Sequence, residues 1–216
     1  MIHRLLTILF PSPCLICGYL GEILCFKCQK FLIFLPHIRR INELIIYSPH
    51  LYLKASNLEQ LINPFKYSHH ALVAHYLAPK MAETLRLFSN YHNPILVPVP
   101  LHKKREKERG YNQSQKLADW IAKDLGLEVH HYLRRTKETT PQAQLKKRED
   151  RIENMTHAFE VALRPPQDRQ LILVDDIVTT GSTLLECRRC LIEAGASSVI
   201  ALTLANRDYE TTHPWN

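Results

Sequence analysis

Residues 171–183 read LILVDDIVTTGST. Leu171 to Val174 form an unbroken aliphatic run that suits a central strand buried on both faces. A hydroxyl-rich turn around Gly181 follows. The next stretch, STLLECRRCLIEAGA, has Leu184, Cys187, Leu191 and Ala194 at helical spacing, with Gly195 as its stop. SSVIALTLAN (197–206) is then the last strand. The same alternation runs through the C-terminal two-thirds. NPILVPVPLH is a strand ended by its prolines, and NQSQKLADWIAKDLG a helix with Asn112 as N-cap and Gly126 as C-cap. LEVHHYLRRT and HAFEVAL are strands. Alternating strands and helices predict an α/β fold, a mostly parallel sheet flanked by helices. Upstream, INELIIYSPHLYLKAS suggests a hairpin. NLEQLINPFKY reads as a helix broken at Pro64, and ALVAHYLAPKMAETLRLF as a helix interrupted at Pro79.

The chain has 216 residues and 45% apolar content, enough for a core. No 18-residue apolar run exists, which argues against a membrane-spanning helix. MIHRLLTILFPSPC is basic and then briefly apolar, but the run is short for a signal peptide and no small-residue cleavage site follows. It reads as a packed N-terminal strap. Net charge is +7. HKKREKER (102–109) carries five Lys/Arg against two Glu, and RRTKETTPQAQLKKREDR (134–151) seven against three acids. A basic surface suits phosphate, diphosphate or nucleic acid, although each run alone also suits a solvated helix face.

Four of the six cysteines form two C-x-x-C pairs, Cys14/Cys17 and Cys25/Cys28. Two such knuckles complete a tetrahedral four-sulfur site, which favours zinc. A closed site of this kind is structural. Disulfides or a redox role are the alternatives. Cys187 and Cys190 border the apolar stripe of their helix and read as core thiols.

Beyond the buried strand stand Asp175 and Asp176. In open α/β sheets ligands sit at the carboxyl ends of strands. Thr179, Thr180, Gly181, Ser182 and Thr183 then precede a helix, where backbone N–H groups and hydroxyls can cradle a phosphate. Adjacent carboxylates can grip the two hydroxyls of a ribose. The stretch therefore has the chemistry for a ribose 5-phosphate unit. A Walker B strand lacks its GxxxxGK[ST] partner, and no GxGxxG is present. A purely structural turn and N-cap would not explain paired acids.

LILVDDIVTTGST resembles the signature by which type I phosphoribosyltransferases bind 5-phosphoribosyl 1-diphosphate (PRPP). With VPVPLHKKREKERGYNQS, RRTKETTPQAQLKKREDRIENMTHAF, Lys66-Tyr67 and the four-cysteine N-terminus, the chain resembles the ComF family of competence proteins over nearly its whole length. The resemblance implies a type I phosphoribosyltransferase fold with a small N-terminal zinc-binding subdomain, drawn as 1–42 and 43–216. It implies Asp175 and Asp176 as ribose ligands and Thr179 to Thr183 as the phosphate loop. His102, Lys103, Lys104, Arg105, Arg109 and Gly110 fall in the pyrophosphate loop. Thr136, Gln142, Lys146, Lys147, Arg148 and Arg151 fall in the mobile lid. Cys14, Cys17, Cys25 and Cys28 are the implied zinc ligands, and Mg²⁺ is expected with PRPP, held largely by the substrate. Family function is associated with DNA uptake in natural transformation on the cytoplasmic side. The implied partners are PRPP or a related ribose 5-phosphate, and competence proteins such as a helicase, a transport channel or a recombination mediator. No acceptor pocket is recognisable, so the catalytic residues stay unassigned. Two alternatives remain: an active phosphoribosyltransferase with an unknown acceptor, and a single-stranded-DNA adaptor that uses the fold only to bind ligand. The charged loops hold few aromatics for base stacking, which weakens DNA contact through them alone.

Overall fold

The computed structural model of the protein describes residues 11–67, 70–88, 93–139, 150 and 154–207. The N-terminal strap read at 1–10 lies outside them. So do Gln142, Lys146, Lys147, Arg148 and Arg151 of the expected lid.

The first half of the chain holds β1 (Ser12–Pro13), β2 (Leu20–Gly21), α1 (Phe26–Gln29), β3 (His37–Ile41), β4 (Leu44–Ser48), β5 (His50–Leu51), α2 (Asn57–Tyr67) and α3 (Val73–Phe88). The second holds β6 (Ile95–Pro98), α4 (Lys103–Arg109), α5 (Gln113–Leu125), β7 (Glu128–Val129), β8 (Leu133–Arg135), β9 (Phe159–Val161), β10 (Gln170–Val178), α6 (Ser182–Glu193) and β11 (Ser198–Asn206). The main sheet has the order β3-β4-β11-β10-β6-β7, with β5 also pairing β11. Every pairing in it is parallel except the β3–β4 hairpin. The alternation read from sequence therefore yields the expected mostly parallel sheet. The hairpin at its edge begins within the first 42 residues.

Period-two alternation along the central strands fills both faces. Ile172 and Val174 of β10, Leu96 of β6 and Leu202 and Leu204 of β11 join the core under α2, α3 and α5. Leu171, Leu173, Ile95, Val97 and Ala201 point the other way, into a second core with Leu184, Cys187 and Leu191 of α6 and Phe159 of β9. Each such side chain, fully buried, contributes about 2 kcal/mol. Cys187 and Cys190 are buried there, as their helical spacing predicts. Cys14, Leu24, Cys25 and Cys28 belong to the first core. The cysteine knuckle is thus packed on the helices rather than held apart from them.

Three local expectations differ. Neither Pro64 nor Pro79 ends its helix. The apolar stripe Leu58, Leu61, Ile62, Phe65 continues across Pro64, and Leu77, Ala78, Met81 across Pro79, so burial carries the backbone past the missing N–H. LEVHHYLRRT is two strands: β7 joins β6 in the main sheet, while β8 pairs with β9 in a separate antiparallel ribbon. Finally, β10 does not stop at Val174 but runs through both acids to Val178, because β11 pairs beside it as far as Asn206.

Candidate functional site

The site arises from unequal strand lengths. β6 leaves β10 at the pairing of Val174 with Pro98. β10 continues beside β11 alone. One edge of β10 is therefore uncovered from Asp175 onward, and a cavity of about 260 Å³ opens there. Asp175, Asp176 and the whole run Thr179 to Thr183 line it.

The two acids are held differently. Asp175 Oδ1 accepts from Ser114 Oγ at 3.0 Å and from the Asp176 N–H at 2.9 Å. Burial, and then the neighbouring Asp176 charge, push its carboxyl up to about 7, against the pull of those hydrogen bonds. Asp176 Oδ1 accepts from the Ile177 N–H at 2.6 Å, and its Oδ2 lies 2.9 Å from Lys66 Nζ.

The hydroxyl loop is built around Gly181, at φ +79. A Cβ there would meet only the terminal methyl of Ile41, which can turn aside, so it is the left-handed backbone conformation that calls for glycine. Gly181 is the residue before α6, and the Thr183 and Leu184 N–H groups of the first turn have no intrahelical acceptor. Both residues line the cavity. Thr180 Oγ1 and Ser182 Oγ lie 3.1 Å apart. Arg39 Nη1 donates to the Thr179 carbonyl at 2.9 Å and to Asn206 Oδ1 at 2.7 Å, tying the loop to the end of β11. The result is an anion cradle at the positive end of a twelve-residue helix.

Cations line the rest. Arg105 and Arg109 of α4 reach the cavity, with Arg109 over the Tyr67 ring at 5.3 Å. His102, Lys103, Lys104 and Gly110 are not among the lining residues. His102 instead caps α4, Lys104 pairs with Glu138 at 2.7 Å, and Gly110 closes the helix in a left-handed turn. Thr136 is also off the cavity, its N–H bound to the Ala158 carbonyl. Arg135 and Arg207 line the site without having been singled out in the sequence. Burial, then the nearby Arg105 charge, hold the Arg135 guanidinium down to about 10. Arg105 and Arg135 both donate to Thr139, the first to its carbonyl and the second to its hydroxyl. Gln113, which no motif marks, lines the cavity and is 1% exposed, and among the described residues its Nε2 has no hydrogen-bond partner. With Lys66, five cationic side chains among the described residues face two carboxylates, which fits a polyanionic ligand. The only sequence signal for Arg135 was its place in a charge run, and for Arg207 there was none.

The four N-terminal cysteine sulfurs all lie within 4.8 Å of one another, with Cys17 and Cys25 at 3.7 Å. A tetrahedral zinc with Zn–S bonds of about 2.3 Å would place them about 3.8 Å apart. Burial opposes ionisation of Cys14, yet the backbone at Cys25, Cys17 and Ile16 hydrogen-bonds its sulfur and brings the thiol down to about 6. Burial and the crowded neighbouring sulfurs push Cys28 up to about 12. Four sulfurs this close and converging on one point can hold a metal ion. No residue from 11 to 36 lines the cavity. Among the described residues, no helix is long and apolar enough to cross a membrane.

Comparison with known proteins gives the following. Residues 111–215 match the family model described as the phosphoribosyl transferase domain. The chain is 39% identical over 111 residues to Competence protein ComFC of Bacillus subtilis, a match covering 51% of this chain and 43% of that protein. It is 31% identical over 155 residues to Competence protein F of Haemophilus influenzae, covering 68% and 67%. It is 31% identical over 193 residues to the DNA utilization protein YhgH of Salmonella typhi, covering 87% and 81%. The match thus spans less than half of ComFC but most of the Salmonella typhi YhgH.

Proposed function

The chain belongs to the ComF family of competence and DNA-utilization proteins, and we propose that it binds PRPP, or a related ribose 5-phosphate, in the service of DNA uptake. The observation that carries this reading is the convergence on one cavity of an Asp-Asp pair, a helix-capped hydroxyl loop and five cations. Asp175 and Asp176 take the ribose hydroxyls. Thr179 to Thr183 take the 5-phosphate. Arg105 and Arg109, joined by Arg135, take the diphosphate.

Hard oxygen donors suit Mg²⁺. Asp176 already carries a cation, the Lys66 ammonium, so the donor set fits a metal delivered with the diphosphate. When bound, Mg²⁺ would screen the diphosphate charge. Cys14, Cys17, Cys25 and Cys28 hold one structural zinc, in a subdomain of residues 1–42 set against the phosphoribosyltransferase-like remainder. The names of the relatives support a role in natural transformation. We place it on the cytoplasmic side, beside a helicase, a transport channel or a recombination mediator.

Calorimetry with PRPP and Mg²⁺ tests the reading. Wild type should bind, and a D175N/D176N double variant should lose at least about tenfold in affinity, consistent with removal of charge-assisted contacts. Equal affinity in both would overturn the assignment of the acids. Transformation assays with the same variant then ask whether ligand binding serves the cell.

A further inference from the structure

The main sheet ends in two edge strands, and they are finished differently. β7 is only two residues long, and its Glu128 is tied to Arg169 at 3.1 Å and to His130 at 3.0 Å. A short strand laced with charge blunts an edge. β3 is five residues long and pairs with β4 at every one of them, from His37 with Ser48 to Ile41 with Leu44, without a bulge. In an antiparallel pair, alternate residues turn their N–H and C=O groups to the neighbouring strand, and the others turn them outward. Among the described residues, no strand takes up the outward groups of β3.

The side chains along this edge are equally uncovered. Ile38 stands opposite Tyr47, which is buried in the first core and stacks on Phe88 of α3 at 6.2 Å. Ile38 itself, one strand further out, is 52% exposed. Arg40 follows on the same face and is exposed. Glu43, the acid of the adjoining turn, is taken by Arg188 at 2.8 Å, and among the described residues no carboxylate pairs with Arg40. Arg39 lies between them and faces the other way, engaged by the Thr179 carbonyl and Asn206 Oδ1, so it does not guard the edge.

A strand laid beside β3 completes both patterns. Its backbone meets the outward N–H and C=O groups. Its residues opposite Ile38 and Arg40 stand two positions apart on one face. An apolar side chain at the first extends the step formed by Ile38, Tyr47 and Phe88, and a carboxylate at the second neutralises Arg40. A second copy of β3 does not fit, because self-pairing centred on Arg39 sets Arg39 against Arg39 and Arg40 against Ile38. A lipid surface or a nucleic acid would leave the backbone row without partners.

We infer that β3 is a docking edge for a partner protein, which adds an extended segment carrying an apolar residue and an Asp or Glu two positions apart. The inference stands whichever ligand the cavity takes.

Selection of short random peptides from a displayed library, on the immobilised full chain, tests it. The enriched peptides are then synthesised and titrated. They should share an apolar and an acidic residue two positions apart. Their affinity should fall at least about fivefold in R40E, where like charges face each other. A second selection on R40E should favour Lys or Arg at the acidic position. N-methylation of alternate peptide residues should abolish binding in one phase and spare it in the other, since only alternate N–H groups face β3. If R40E folds poorly, R40M should weaken the same peptides. No enrichment, a consensus without the acid, or binding that survives both the Arg40 variants and N-methylation in either phase overturns the inference.

Discussion

Asp175 shows at the scale of one residue what this site costs. Its carboxyl is raised to about 7, by burial first and by Asp176 second. An acid whose native value stands above its unfolded value keeps a proton that the unfolded chain has already lost. Stability attributable to it is present below the ordinary carboxylate range and is lost as pH rises toward about 7. Urea denaturation of wild type and D175N at pH 5 and pH 8 reads this directly. Wild type should lose stability relative to D175N on going to pH 8, where the variant should be at least as stable. An equal offset at both pH values would show that Asp175 is not a strained acid. Groups kept at such a cost in stability cluster at functional sites. Gly181 shows a backbone form of the same constraint, since its φ of +79 is one that side chains rarely adopt.

Helix α3 carries the second prediction at the scale of elements. Pro79 stands exposed in the middle of a sixteen-residue helix. It leaves the His75 carbonyl without its N–H donor. Pro79→Ala should restore that hydrogen bond and stabilise the chain by roughly 1 to 3 kcal/mol. A urea midpoint equal to or below that of wild type would mean that the helix is bent to suit its proline. Elements were legible in the sequence wherever local pattern and tertiary packing agree. LILV, the Asn112 and Gly126 caps and the Leu184–Leu191 stripe are cases of this kind. They were misread where packing overrides local chemistry. The prolines of α2 and α3 are carried by buried stripes, and LEVHHYLRRT is divided between two sheets by partners far away in sequence. The site was legible for the same reason and to the same extent. The contiguous run 175–183 was visible as a unit. Lys66, Gln113, Arg135 and Arg207 reach the cavity from four separate elements and loops, and no local spacing marks that convergence.

The cysteine cluster decides how the whole molecule behaves. Cys14, Cys25 and Cys28 are buried in the same core as Leu61, Ile62 and Phe65 of α2, Leu77 of α3 and Leu117 of α5. α2 also carries Lys66, so the cysteine knuckle and the cavity lean on a common helix without touching each other. A zinc site coupled in this way should not unfold as a separate module. Metal binding is folding free energy wherever the ligands share a core with the rest. Removing zinc with a chelator, or by Cys25→Ser, should therefore lower the single calorimetric transition of the whole chain, by about 5 °C or more if the metal contributes a few kcal/mol. PRPP affinity should fall with it, although no cysteine lines the cavity. Two resolved transitions, the larger unmoved by chelation, would show instead that the knuckle is an independent module lying on the surface of the phosphoribosyltransferase-like core.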